Sequence, residues 1–466
     1  MRPARKGQGA ARGKAKISRR AGGKTLHGEW RALGRNAHDG EMIKGREGSF
    51  LRAIKSDLSI LRGNFLVLLV TWIIFRVAFR MVGFYESLYV RALGASPTVL
   101  GLMNGIYMAV FSLSLIPGSY VADRWGRRRI IILMTYCLGA SYIFYVLAPD
   151  WRLTPPWQLI LIGMVMAAIS RVYSPALQAI TADSLPPERR GLGYALSSVV
   201  PDAFAIASPL LAAFLISRYG FVEGMRLAYL AVFLSFMVAA TIRLFFLRET
   251  VRPQPGAPWP GLATMYVRSV KDMVSAVREA GRELKTMVLI SLVISPMAQA
   301  LWVFTPLYVV DHTGITEEGW GTISSIRIAF SLVAGLLLGK LADVASRKKM
   351  LVASYAARAA FTLALPFARG FAQVLAVLLL LDLAAVAGMP AIQALLADLT
   401  PRTMRGRIYG ARMLLANLSS ALVLPAMGVI YEGTRPEALF FIASPSSLLA
   451  SLLIAALVRE PVRREV

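Results

Sequence analysis

The chain has 466 residues, is 56% hydrophobic and carries a net charge of +26, yet only 17% of it is charged, against about 25% in a typical soluble domain. So few charges cannot cover a water-soluble surface of this size, and the composition indicates an integral membrane protein. A single cysteine, Cys137, excludes an intramolecular disulfide or a cysteine metal cluster, and the three histidines lie outside the apolar runs, so no metal, haem or other cofactor is expected.

In chain order, residues 1–62 come first, with 16 Lys plus Arg, 5 Asp plus Glu and few apolar residues. They are read as a basic cytoplasmic tail without regular structure that lies against anionic lipid headgroups. A translation start at Met42 is the other reading, and nucleic acid is not an expected partner. No apolar core with a cleavage site marks a signal peptide. Twelve apolar runs follow, at roughly 64–90, 98–122, 130–149, 156–182, 191–217, 225–247, 286–310, 319–342, 350–368, 371–397, 406–430 and 436–458. Each approaches or exceeds the roughly 20 residues that a spanning helix needs. The expectation is an all-α membrane protein with a six-helix half over 63–247, a linker over 248–285, a second half over 286–459 and a short tail, 460–466. Residues 262–284 of the linker form a basic amphipathic stretch suited to a membrane surface.

Charge follows this topology. With the N-terminus inside, the inner loops and tail hold 22 Lys plus Arg, and the outer loops hold six, Arg91, Arg152, Arg218, Arg226, Arg369 and Arg435. This is the positive-inside asymmetry, and it places both termini in the cytoplasm.

The two halves repeat each other. "PALQAITADSLPPERRGLGY" from Pro175 and "PAIQALLADLTPRTMRGRIY" from Pro390 agree at ten of twenty positions. "SLYVRALGASPTVLG" from Ser87 answers "PLYVVDHTGITEEGWG" from Pro306, and "YVADRWGRRR" from Tyr120 answers "KLADVASRKK" from Lys340. The offsets stay between 215 and 220 residues, so the chain is two homologous halves of six spans. Such internal repeats mark secondary transporters, whose halves rock about a midplane site. At these residues the chain resembles the major facilitator superfamily, whose signature loop between helices 2 and 3 recurs between helices 8 and 9. The second copy, "GKLADVASRKK" from Gly339, fits the glycine-to-aspartate spacing, whereas in the first Gly118 is displaced by one position. The resemblance implies a gating latch in which Asp123 with Arg127 faces Arg405 and Arg412, and Asp343 with Arg347 faces Arg190. Simple charge for topology is the other reading of the Arg127 and Arg347 clusters.

Eight charges fall at membrane depth: Arg76, Arg80, Glu86, Arg171, Asp202, Arg327, Arg358 and Asp382. Left in lipid they would cost roughly 3 kcal/mol each, more together than a domain's stability of about 5–15 kcal/mol. They must therefore face one another, water or a solute. Glu86 and Arg358 lie nearer helix ends, where a side chain reaches water easily. Cavity helices in the family make Arg76, Arg80 and Arg327 substrate-cavity candidates, joined by the polar Tyr107, Gln299 and Asn417. Asp202, with Arg171 one helix away, is the first candidate for proton coupling, and Asp382 the second. A structural ion pair between Arg171 and Asp202 is the alternative.

The function expected is alternating-access transport of a small organic solute, with a proton gradient driving efflux, by a monomer in the cell membrane. An organic or phosphorylated anion carrier is the alternative, because four candidate cavity arginines face two acids. Outside transport, the reading is a transport-dead receptor or scaffold. No nucleophile elbow or phosphate loop points to an enzyme.

Overall fold

The computed structural model describes residues 60–251, 261–401 and 404–460, apart from the side chains of residues 119, 123 and 340–344. The basic tail, Met42 and the last six residues lie outside the described residues, as do the side chains of Asp123 and Asp343. Among the described residues, twelve helices are long and apolar enough to cross a membrane. Spans 1–6 are Gly63–Gly83, Pro97–Leu115, Arg127–Asp150, Pro156–Asp183, Pro187–Tyr219 and Phe221–Phe246. Spans 7–12 are Arg282–His312, Glu317–Gly339, Arg347–Phe367, Gly370–Leu399, Arg405–Gly433 and Ala438–Leu457.

The sequence repeat becomes a repeat of packing. In the first half span 6 packs on spans 1 and 3, span 4 on span 2, and span 5 on span 1. In the second half span 12 packs on spans 7 and 9, span 10 on span 8, and span 11 on span 7. The halves meet through two equivalent crossings, span 2 on span 11 and span 5 on span 8.

Small residues allow the first crossing, as is usual where helices lack a hydrophobic drive to associate. A Cβ built on Gly101 would lie 2.4 Å from the Leu424 carbonyl oxygen, and one on Gly428 2.5 Å from that of Pro97. The second crossing has Gly321 on span 8, whose Cβ would fall 2.9 Å from the Ala213 Cβ and 3.0 Å from the Pro209 carbonyl oxygen of span 5.

Proline shapes the spans that carry charge. Span 4 is α-helical over Pro156–Ser170, tightens to a 3-10 turn at Arg171–Tyr173 and resumes over Ser174–Asp183. Pro175 lacks an N–H and its ring crowds the carbonyl four residues back, that of Arg171. The break therefore falls at the buried arginine. Span 5 breaks in the same way between Phe204 and Ser208, four residues before and around Pro209.

The linker helix covers Leu262–Glu279 and stops short of the expected 284, because Ala280 turns extended and Gly281 caps span 7 at Arg282. Met265 and Ala276 are its buried residues. It packs on span 11, and the Tyr266 hydroxyl donates to the Leu113 carbonyl at the end of span 2, 3.0 Å away.

Candidate functional site

The linker and the loops between spans 2 and 3 and spans 8 and 9 lie on one face of the bundle, here the linker face. The far face is closed by contacts between the halves. Arg91, beyond span 1, pairs with Asp311 at the end of span 7. The Glu432 carboxylate of span 11 accepts from the Ser96 hydroxyl at 2.7 Å and the Thr98 N–H at 2.9 Å. Deeper in, the Tyr85 hydroxyl donates to the Glu317 carbonyl at 3.1 Å and the Trp320 indole to the Phe84 carbonyl at 2.8 Å. Toward the linker face, Arg190, Gly191, Leu192 and Tyr194 at the start of span 5 are exposed.

Between the halves is a cavity of about 450 Å³ whose polar walls are Arg80, Ser198 and Asp202 from the first half and Arg327, Ser331 and Asp382 from the second. Arg76 and Arg80 are four residues apart and share a helix face, so both reach one carboxylate. The Arg76 Nε lies 3.0 Å, and an Arg80 Nη 3.7 Å, from Asp202 Oδ1. Across the cavity Arg327 grips Asp382 in a two-pronged pair, 2.7 and 2.9 Å, the geometry that the guanidinium fork favours. Each half thus contributes one arginine–aspartate cluster.

Arg171 is not Asp202's partner. The structural pair that was the alternative reading does not form, because the break at Pro175 leaves Arg171 among phenols. Tyr107, Tyr173 and Tyr142 surround its guanidinium, and its Nε is buried without a hydrogen-bond partner. Arg171 lines a side cavity of about 220 Å³ together with Tyr107, Gln299 and Asn104. Gln299 contacts the sulfur of Met108 across the halves at 4.0 Å. Asn417 sits on span 11 with its amide nitrogen unpartnered and lines neither cavity.

Two expectations about depth are corrected. Glu86 does not reach out to water. Span 1 breaks at Phe84–Tyr85 and a short helix, Glu86–Ala92, continues beyond it. This turns the carboxylate into the side cavity, where it accepts from the Tyr145 hydroxyl at 2.7 Å. Arg358 also stays inside, over the Tyr355 ring at 5.8 Å. Sequence reading passed over Arg243 altogether. It is fully buried in span 6, donates to Thr71 at 3.1 Å and Thr135 at 2.9 Å, and covers the Phe75 ring at 4.5 Å. Its position near a helix end, after a run of 16 uncharged, mostly apolar or small residues, concealed it.

At the linker face the repeat is written in ion pairs. Arg127 at the start of span 3 pairs with Asp183 at the end of span 4, 2.5 Å, and Arg347 at the start of span 9 pairs with Asp398 in span 10. Glu249 caps the Arg128 N–H at 2.9 Å, and Glu460 caps that of Arg347 at 3.0 Å. Burial opposes charge on Glu460, but the Ser346 hydroxyl and the backbone N–H groups of Arg347 and Lys348 outweigh it and hold the carboxyl below its ordinary range. A further repeat, "LRET" from Leu247 and "VREP" from Val458, carries the two caps and was the available signal. Arg405 donates to the Ala397 and Thr400 carbonyls at 3.0 and 3.3 Å, within its own half, and Arg412 reaches Ser291 at 3.4 Å.

The sequence model of the Major Facilitator Superfamily matches residues 67–294 and 287–466. The chain is 24% identical over 355 residues to the multidrug resistance protein MdtG of Dickeya zeae (strain Ech586), covering 71% of this chain and 79% of that protein. It is likewise 24% identical over 353 residues to MdtG of Enterobacter lignolyticus (strain SCF1), covering 73% and 80%. Among solved structures, the inward open conformation of the xylose transporter XylE from E. coli superposes with a TM-score of 0.64 at 15% identity, covering 85% of this chain and 96% of that one.

Proposed function

The chain belongs to the major facilitator superfamily and is a transporter, and from that premise we propose that it is a proton-coupled exporter of small organic solutes. One observation carries the reading. A cavity walled by an arginine–aspartate cluster from each half is sealed at the far face and bordered by exposed chain at the linker face. Rocking of the halves about such a cavity is how two repeated bundles alternate access. The basic loops favour a cytoplasmic linker face, and in this reading the cavity opens to the cell interior and both termini are cytoplasmic. The MdtG relatives, named as multidrug resistance proteins, favour outward transport of drug-like solutes.

Asp202 is the coupling carboxylate in this reading and Asp382 the second. Protonating Asp202 removes the charge that holds Arg76 and Arg80, so one proton and the position of two guanidinium groups are linked. The protein acts as a monomer in the cell membrane with no cofactor beyond the proton gradient. Asp123 and Asp343 serve as the latch at the linker face, and anionic headgroups receive the basic tail.

A second reading, an organic anion carrier, draws on Arg76 and Arg80 sharing one carboxylate, which leaves a guanidinium charge over in the cavity. Liposomes with an imposed pH gradient and a panel of cationic, anionic and amphoteric drug-like solutes separate the two. The exporter concentrates more than anions, and Asp202→Asn abolishes gradient-driven accumulation while downhill exchange persists. Wild-type accumulation by that variant would remove Asp202 from the coupling.

A further inference from the structure

The side cavity between spans 1, 2, 3, 4 and 6 of the first half and span 7 of the second contains two ionisable side chains that the arginine–aspartate clusters do not use. Glu86 is one. Among the described residues its hydrogen-bond partner is the Tyr145 hydroxyl, at 2.7 Å, and no salt bridge reaches it. Arg171 is the other. Its neighbours are the phenols of Tyr107, Tyr173 and Tyr142, with no carboxylate among them, and its Nε is buried and unpartnered. Both line the same cavity of about 220 Å³. Tyr142 lines that cavity with both of them. The acid and the base share one enclosure, and no ion pair joins them among the described residues.

Enclosed charges cost free energy unless they are paired. A monovalent cation at Glu86 would bring its charge toward Arg171, and a monovalent anion at Arg171 would bring its charge toward Glu86. A solute with a protonated amine and an acid group satisfies both at once. The remaining walls suit the body of such a solute. Tyr142, Tyr145, Tyr229 and Trp302 line it with aromatic surface, which suits both apolar groups and an ammonium. Asn104 and Gln299 supply amide groups.

We propose that this side cavity is the binding site for the charged end of an amphoteric organic solute, with Glu86 as counter-ion to its ammonium and Arg171 as partner to its acid group. The inference rests on the exporter reading and names the solute class for it. In this arrangement Glu86 and Arg171 select the solute, and the cavity's opposed charges reject molecules that carry one sign only.

Three probes on one skeleton test it: phenylalanine, phenethylamine and 3-phenylpropanoate. Their binding to the purified full-length chain in detergent is measured by calorimetry at neutral pH, with no gradient present. Phenylalanine should bind at least tenfold more tightly than either singly charged analogue. Glu86→Gln should reduce phenylalanine to the level of 3-phenylpropanoate, and Arg171→Gln to that of phenethylamine. Glu86→Asp, which keeps the charge, should recover part of the loss. Melting curves identify a variant that has lost its fold, and Glu86→Gln keeps an acceptor for Tyr145. A chain that binds none of the probes, that binds either singly charged analogue as tightly as phenylalanine, or whose Glu86→Gln form retains wild-type phenylalanine affinity overturns the proposal. Gradient-driven transport of other solutes would survive that result, so the exporter reading fails or stands separately.

Discussion

Replacing Gly101 by alanine should open the far face. The new methyl would lie 2.4 Å from the Leu424 carbonyl oxygen and 3.2 Å from the Gly428 Cα, and all of these are backbone atoms that no side-chain rotation can move. Relief requires spans 2 and 11 to separate, and they separate only where the far-face contacts part. Overpacking of this kind costs about 1–3 kcal/mol. At about 1.4 kcal/mol per tenfold, the ratio of far-face-open to far-face-closed molecules should rise by roughly 5- to 150-fold. The assay uses Cys137→Ser as background and Ser331→Cys in the cavity wall, with a membrane-impermeant thiol reagent applied to each side of oriented vesicles. Labelling from the far side should accelerate, and labelling from the linker side should slow. Gly191→Ala is the control, because a Cβ there meets nothing within 4 Å. Unchanged labelling from both sides in a folded Gly101→Ala protein would refute the claim that the glycine crossing holds the closed gate.

Trp320→Phe deletes the indole donor to the Phe84 carbonyl; a buried group left unsatisfied costs about 1–3 kcal/mol, so the same labelling assay should move in the same direction. Asp382→Asn leaves Arg327 without its two-pronged partner, and melting curves should fall more for this variant than for the exposed pair broken by Glu223→Gln. Glu460 is held below its ordinary value of 4.5 in the folded chain; a depressed carboxyl stabilises above the unfolded value and loses that contribution as pH falls through the folded one. The wild type should therefore lose more melting temperature on acidification below about 4.5 than Glu460→Gln, and parallel curves would remove the cap from the account. A reporter fused after Val466 should be active on the cytoplasmic side only.

The span count, the internal repeat and the uneven distribution of basic residues among the loops were all present in the linear sequence. They depend on properties that a chain carries residue by residue: the length of an apolar run, the offset of a repeat and the placement of Lys and Arg. Glycine crossings were legible only as glycines, since their role needs a neighbour's backbone at contact distance, as Leu424 is to Gly101. Partner choice was decided in three dimensions. Asp202 lies one span from Arg171 in sequence, yet it pairs with Arg76 and Arg80 on span 1. Which acid meets which arginine depends on how each helix is rotated about its axis and where it breaks. Spacing along one helix constrains neither. The break at Pro175 sends Arg171 among tyrosines, and the break at Phe84 turns Glu86 inward. The sequence therefore determined how many charges the membrane domain had to accommodate, and only tertiary packing decided which were neutralised by each other and which were left facing a cavity.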